Sequence, residues 1–131
     1  ERNGEILRFL EEQTGVDPEM LPRTRSRSRV LGKDLFLEQE QVFAWPDKKA
    51  AETGAQFCFG LRDQLGVLSD GTVVPCCLDH EGDVPLGNLF ETPLTEILAS
   101  PRARALYDGF SRRAPVEELC RRCGFATRFN R

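Results

Sequence analysis

The sequence lacks the features of three common classes of protein. No apolar run approaches the roughly 20 residues that a membrane-spanning helix needs, and we recognise no signal peptide. Positive charge is not in excess: 21 acidic residues and 18 lysines and arginines give a net charge of −3, which does not favour nucleic acid as a partner. An odd number of cysteines, five, argues against a complete secreted disulfide framework. We therefore expect a protein of the cytoplasm that binds neither membrane nor nucleic acid.

The length of the chain, 131 residues, fits one ordinary domain or one small domain with a leading segment. With 40% apolar and 30% charged residues, the chain can bury only a core of modest size. A bound metal centre would therefore add useful stability. The chain begins at Glu1 without a methionine, so we expect a fragment of a longer protein, with a processed product as the alternative.

Residues 1–56 are predicted to form a helical lead and a linker. Apolar residues at helical spacing predict a helix over residues 1–16, with Asn3 as its N-cap and Gly15 as its C-terminal stop. A second short helix is expected at Asp17-Pro18, where the aspartate can act as the cap.

The segment from Leu21 to Gly32 is polar and arginine-rich, and the four arginines of its Arg23–Arg29 part alternate with serine and threonine. Such a segment is typical of a mobile linker, and contact with another domain or with an anionic ligand is the alternative. The order of residues 33–57 stays open, although their apolar residues fit a short helix or strand that ends at Trp45-Pro46.

A β-hairpin is the strongest local prediction in the second half of the chain. Two short apolar runs flank Asp70-Gly71, whose residue types suit the positive φ angles of a tight turn. A turn of two residues would place Leu65 opposite Cys76. The chain must then curl at Phe59-Gly60 to bring Cys58 near the return strand.

Helices are predicted for much of the remainder of residues 57–131. Pro93 can begin one helix that ends near Leu98. Ser100-Pro101 fits the cap and the first position of another helix, which runs to about Phe110.

Four of the cysteines fall into two pairs, one across the hairpin and one in a CxxC turn. The first pair is Cys58 and Cys76, and the second pair is Cys120 and Cys123. A CxxC turn lets both sulfurs point to one centre, and a hairpin folded against it completes the four thiolates that a zinc ion or an iron–sulfur cluster requires. The predicted fold class is therefore α+β: a small hairpin followed by helices around one four-cysteine centre, with a helical N-terminal lead.

Two other residues, Cys77 and His80, are weaker candidates for metal ligands, and a redox role of the CxxC is a weaker alternative to metal binding. Successive side chains of an extended segment point to opposite faces, so we expect Cys76 to be the ligand and Cys77 to be a buried small hydrophobe. His80 could bind zinc, but a lone loop histidine is more often at the surface or hydrogen-bonded. A thioredoxin-like role of Cys120 and Cys123 would need the CxxC at a helix start after a strand, whereas it follows predicted helices.

Arginines are frequent around the second cysteine pair. Their guanidinium groups could offset the negative charge of a thiolate-rich centre and raise its reduction potential. An exposed basic face is the alternative. The residues concerned are Arg112, Arg113, Arg121, Arg122 and Arg128.

These motifs together resemble the SPASM/twitch domain, the auxiliary cluster module that follows the barrel of radical S-adenosylmethionine enzymes. The resemblance rests on the pattern Cys-x12-Gly-x4-Cys with its C-terminal Cys-x2-Cys, and on the sequences of Leu68–Cys77 and Leu86–Leu89. It covers about residues 57–125. Residues 57–131 would then be the cluster-binding domain, and residues 1–56 would include the end of the preceding barrel.

The resemblance implies one [4Fe-4S] cluster as the cofactor. The full SPASM form carries further cysteines after its CxxC, and this chain has none after Cys123, so it is similar to the shorter twitch form. The four positions that correspond to the cluster ligands are Cys58, Cys76, Cys120 and Cys123. Four protein ligands leave no open iron for a substrate, which implies electron transfer and a structural role.

The resemblance also implies a larger parent enzyme. The CxxxCxxC of a radical S-adenosylmethionine core is absent, so the chain alone cannot form the adenosyl radical, and S-adenosylmethionine would bind only in the parent. The implied partners are the barrel of that parent and a peptide or small-molecule substrate. A structural zinc-binding interaction module is the main alternative, and a cluster-free protein-binding domain is the third.

Overall fold

The computed structural model describes residues 3–24 and 28–130. The chain divides into two compact units, Glu1–Val42 and Phe43–Arg131. The second unit thus begins ahead of residue 57, and the predicted division into domains at that residue stays a prediction.

The first unit contains the predicted N-terminal helix, α1, over Gly4–Thr14. Asn3 is its N-cap residue, although the asparagine side chain makes no capping hydrogen bond. Gly15 ends the helix in the left-handed conformation at φ 70°, and its N–H donates to the carbonyl of Glu11 at 2.8 Å. The predicted helix and its stop are therefore confirmed, and none of its residues is buried.

The rest of the first unit differs from the prediction at two places. No second short helix follows Asp17 in the described residues: the segment is a turn, in which the Asp17 carboxylate accepts the N–H of Glu19 at 2.8 Å. The last four residues of the predicted linker are not linker but form strand β1, Arg29–Gly32, which pairs antiparallel with β2, Leu35–Leu37. Leu31 of β1 is buried, which a solvated linker would not require, and residues 25–27 of the predicted linker lie outside the described residues.

The second unit is built on a three-stranded antiparallel sheet that contains the predicted hairpin. Its strands are β3 (Gly66–Val67), β4 (Thr72–Val74) and β5 (Gly87–Asn88), in that order across the sheet. The two predicted helices follow as α2 (Leu94–Ala99) and α3 (Pro101–Ser111). Two short helices that were not predicted come after them: α4 (Glu118–Arg121) and a final 3-10 helix, Ala126–Phe129.

The hairpin register is one residue away from the prediction, because its loop has three residues rather than two. Val67 lies opposite Val73, so Leu65 does not face Cys76. The Leu68 N–H donates to the Thr72 carbonyl at 2.8 Å, and the Leu68 carbonyl accepts the N–H of Gly71 at 2.9 Å. Gly71 has a φ of 85°, the left-handed residue that a three-residue hairpin loop requires.

The core of the second unit lies between the sheet and the helices. Val73 of β4 and Leu106 of α3 are almost completely buried. The sheet and α2 approach so closely that a Cβ on Gly87 would lie 2.8 Å from a side-chain carbon of Ile97. Ser100 caps α3 as predicted, since its hydroxyl accepts the N–H of Ala103 at 3.3 Å. The predicted α+β class is confirmed.

None of the helices in the described part of the chain has the length and apolar character needed to cross a bilayer.

Candidate metal centre

The four predicted cysteines line one cavity of the second unit. Cys58 and Cys123 are buried, and Cys76 and Cys120 are partly exposed. Apolar side chains complete much of the wall: Pro75, Phe110, Leu119, Phe125 and Ala126. The structure therefore brings together thiols that lie up to 65 residues apart in the sequence.

Cys58 reaches the hairpin because the chain turns sharply after it. The Leu61 N–H donates to the carbonyls of Gln64 at 2.8 Å and Pro75 at 3.2 Å. Gly60 sits against the same strand end, where an added Cβ would be 3.2 Å from the Pro75 oxygen. The predicted curl is present, and Leu61 follows it in the left-handed region at φ 59°.

The CxxC forms the opposite side of the cavity. Cys120 lies on α4, and the chain leaves that helix in a turn in which the Cys123 N–H donates to the Cys120 carbonyl at 3.4 Å. The CxxC is thus at the C-terminal end of a short helix, which does not support the thioredoxin-like alternative.

The thiols are close enough to influence one another's protonation. Loss of solvent raises the pKa of Cys58 and raises that of Cys76 to about 11. Burial also raises the pKa of Cys120, to which negative charge on the other three cysteines of the cavity adds. Negative charge on Cys123 adds to the rise in the pKa of Cys58 and of Cys76, and negative charge on Cys77 adds to that of Cys58. Free thiolates of Cys58, Cys76 and Cys120 are therefore disfavoured unless a bound cationic centre compensates their charge.

The donor set fits a thiolate-bound centre, but the ligand assignment stays a prediction. Within residues 3–24 and 28–130, no three histidine, cysteine, aspartate or glutamate side chains are grouped as a metal-ion site. Four thiols on one apolar cavity are nevertheless the chemistry by which iron–sulfur clusters are held.

A family model settles what kind of domain contains this cavity. The SPASM model, described as an iron-sulfur cluster-binding domain, matches residues 58–124, just over half of the chain. This chain belongs to the SPASM family. No curated protein and no solved structure matches it. The SPASM match begins at Cys58 and ends one residue after Cys123, so the four cysteines of the cavity span the matched region.

The prediction that Cys77 is buried is wrong for this SPASM domain. It is exposed rather than buried, and it is not part of the cavity wall, whereas Cys76 is. The reason is that β4 ends at Val74 and the chain then turns, with the Asp79 N–H donating to the Cys76 carbonyl at 3.2 Å. His80 is exposed too, and it is not part of the cavity wall. Its ring accepts a hydrogen bond of 3.3 Å from the Trp45 Nε1–H.

Arg121 and Arg122 make ion pairs, within the described residues, that the sequence did not predict. Arg121 pairs with Glu52 at 2.9 Å, and Arg122 pairs with Glu118 at 2.8 Å. Arg122 also has a buried Nε–H without a hydrogen-bond partner among the described residues. Arg112 and Arg113 are exposed, and the Arg128 guanidinium lies 4.0 Å from the centre of the Phe125 ring. Compensation of a centre's charge by these arginines stays a prediction.

Asp79 is a residue of the cavity wall that the sequence interpretation missed. It is 2% exposed, and its carboxylate accepts the N–H groups of Asp83 at 2.8 Å and Val84 at 2.9 Å. Gly82, at φ 71°, allows the tight loop between donor and acceptor. The signal was an aspartate followed after two residues by glycine, a pattern typical of side-chain-capped turns.

Proposed function

We propose that this SPASM domain is the auxiliary cluster-binding part of a radical S-adenosylmethionine enzyme. In this proposal Cys58, Cys76, Cys120 and Cys123 hold one [4Fe-4S] cluster. The observation that carries it is the presence of four cysteines on the wall of one cavity inside the region that matches an iron-sulfur family.

The chain's own residues would perform three tasks. The four thiols lose their protons on binding, so loading releases protons to solvent. Apolar residues such as Phe110 and Leu119 keep water away from the thiolates. Asp79 fixes the loop after Cys76 by its two backbone hydrogen bonds. A [4Fe-4S] cluster held there would supply single-electron exchange and a covalent tie between the hairpin and the CxxC.

The parent enzyme would supply the chemistry that this chain lacks. No CxxxCxxC occurs in the sequence, so a radical-forming barrel and its S-adenosylmethionine would be the partners of this domain in the cytoplasm. A peptide or a small molecule would be the substrate of that barrel. The auxiliary centre would pass electrons to or from the substrate or the radical cluster, and it would hold the shape of the domain.

The proposal is tested by anaerobic reconstitution of the chain with iron and sulfide. We expect about four iron and four acid-labile sulfide per chain and a brown chromophore. Alanine at any one of Cys58, Cys76, Cys120 or Cys123 should abolish reconstitution of the full cluster. Cys77→Ala is the matched control, and it should retain the wild-type iron content because its side chain is exposed.

Two results would contradict the proposal. Colourless protein that binds one zinc ion after reconstitution would favour the structural zinc module instead. If Cys77→Ala loses as much iron as Cys76→Ala, the assignment of Cys76 as a ligand is wrong.

A further inference from the structure

A segment outside the family match lies against the CxxC. Residues 43–56, which we call the strap, precede the matched region by sequence and belong to the same compact unit. The strap reaches the CxxC turn through backbone, side-chain and ring contacts. Its Phe43 ring packs edge-on against Phe125, with 4.9 Å between ring centres, and its Pro46 lines the cavity of the four cysteines.

Thr53 of the strap contacts the carbonyl of Arg121, the last residue of α4, and the carbonyl of Cys123 beyond it. The last carbonyls of a helix have no partner within it. The Thr53 N–H donates to the Arg121 carbonyl at 2.9 Å, and its hydroxyl lies 3.1 Å from the carbonyl oxygens of both Arg121 and Cys123. One strap residue therefore fixes the backbone at two positions within the CxxC turn.

Charged side chains attach the strap to the two residues inside the CxxC. Arg121 forms its ion pair with Glu52 at 2.9 Å, and Arg122 donates to the Ala50 carbonyl. Because Glu52 is largely exposed, the ion pair contributes little by itself. The two arginines thus face the strap rather than standing free around the cavity.

The absence of a side chain at Gly124 lets the strap lie directly against the backbone that follows the CxxC. Its N–H donates to the Ala44 carbonyl at 3.2 Å. A Cβ on Gly124 would lie 2.6 Å from the Ala44 oxygen and 2.9 Å from the Ala44 nitrogen, both backbone atoms. Any side chain at this position would displace the strap, because a Cβ essentially never approaches backbone this closely.

We infer that the strap is a positioning element of the cluster site, fixed to the CxxC turn by Thr53 and Gly124, and that it shields the bound cluster from solvent. This inference rests on the proposed function, since it needs a cluster in the cavity. It adds residues that the cysteine motif does not include: the strap closes one wall through Pro46 and holds the carbonyl groups next to Cys123.

The test uses the full chain with Thr53→Val, Thr53→Ser and Gly124→Ala. Valine removes the hydroxyl at nearly constant shape, and serine restores it. We expect all variants to reconstitute the wild-type iron content anaerobically. In air the visible absorbance of Thr53→Val should fall about fivefold faster than that of the wild type, from the loss of hydrogen bonding worth about 1 kcal/mol. Gly124→Ala should bleach at least as fast as Thr53→Val, and Thr53→Ser should match the wild type.

Amide hydrogen exchange of the cluster-free protein measures the strap independently. The Gly124 N–H, which is bonded to Ala44, should exchange about fivefold faster in Thr53→Val than in the wild type or Thr53→Ser. This measurement distinguishes a loosened strap from a change in the cysteine ligands. It requires no cluster, so it is unaffected by failure of reconstitution.

The outcomes separate the two proposals. If the wild type holds iron and Thr53→Val bleaches at the wild-type rate, the inference is overturned and the proposed function stands. The same conclusion applies if Thr53→Ser bleaches as fast as Thr53→Val. If the wild type takes up no iron and sulfide, the proposed function fails first. Should Gly124→Ala not fold, the valine and serine variants alone decide the question.

Discussion

Helices α1 and α3 have the same length, 11 residues, but differ completely in burial. None of the residues of α1 is buried, and its Ile6 and Phe9 are each 58% exposed. Helix α3 buries four residues: Ala103, Leu106, Gly109 and Phe110. Both helices carry apolar residues at helical spacing. The comparison shows that periodicity predicts where a helix forms, whereas the energy that a helix contributes depends on what its apolar side packs against.

The largest difference in the free energy of unfolding is expected between a truncation of a buried side chain in α3 and one of an exposed side chain in α1. Leu106→Ala should lower the free energy of unfolding by about 2–5 kcal/mol, because it leaves a cavity in a side-chain site that is 1% exposed. Phe9→Ala in α1 should cost less than about 1 kcal/mol, since its ring is mostly in water already. Urea unfolding of the cluster-free protein, followed by circular dichroism, measures both. Equal costs for the two variants would contradict the comparison.

Two glycines with positive φ angles, Gly71 and Gly15, should differ less in the stability that is lost on substitution. Gly71→Ala should lower the free energy of unfolding by more than about 2 kcal/mol, because strain at φ 85° adds to contacts of 2.6 Å with the Asn88 side chain and 2.7 Å with the Phe90 ring. Gly15→Ala, at φ 70° with no atom within 4 Å, should cost only the strain of about 1–2 kcal/mol. Thermal unfolding of the two variants tests the ordering, and a Gly15 variant as unstable as the Gly71 variant would refute it.

The smallest difference in stability is expected between substitutions of the two helix N-cap residues, Ser100 and Asn3. Ser100→Ala removes the acceptor for the Ala103 N–H and should cost about 1 kcal/mol. Asn3→Ala should change stability by less than about 0.5 kcal/mol, because the Asn3 side chain makes no capping hydrogen bond. Matched urea titrations would show the difference as a shift in midpoint at constant slope. A larger loss from Asn3→Ala than from Ser100→Ala would contradict this prediction.

What could be predicted from the sequence was mostly local. Ser100-Pro101 specified the start of α3, Gly15 specified the end of α1, and Asp70-Gly71 located the hairpin, because each of these signals acts within a few residues. The hairpin register was missed by one residue, since a loop of three residues contains the same turn residues as a loop of two. The prediction that Cys77 is buried was wrong for a related reason. Side chains alternate between the two faces only while the strand continues, and β4 ends at Val74.

The parts that the sequence did not predict depend on distant residues. Nothing near Arg121 indicates that Glu52 would be its partner, and nothing in residues 43–56 indicates that Thr53 would bind the CxxC turn. The convergence of the four cysteines was predictable only because metal-binding chemistry requires it. Their apolar surroundings follow from core packing, which no local pattern encodes.

The exposure of Cys77 has a practical consequence for measuring how much of the protein is loaded. In a cluster-bound molecule four of the five thiols would be occupied, and Cys77, which faces solvent, would remain for a maleimide reagent. In the cluster-free folded molecule, the partly exposed Cys76 and Cys120 would be open to the reagent as well. The number of labels per chain, counted by intact-mass spectrometry, would then report the occupancy of the site molecule by molecule, without reliance on colour.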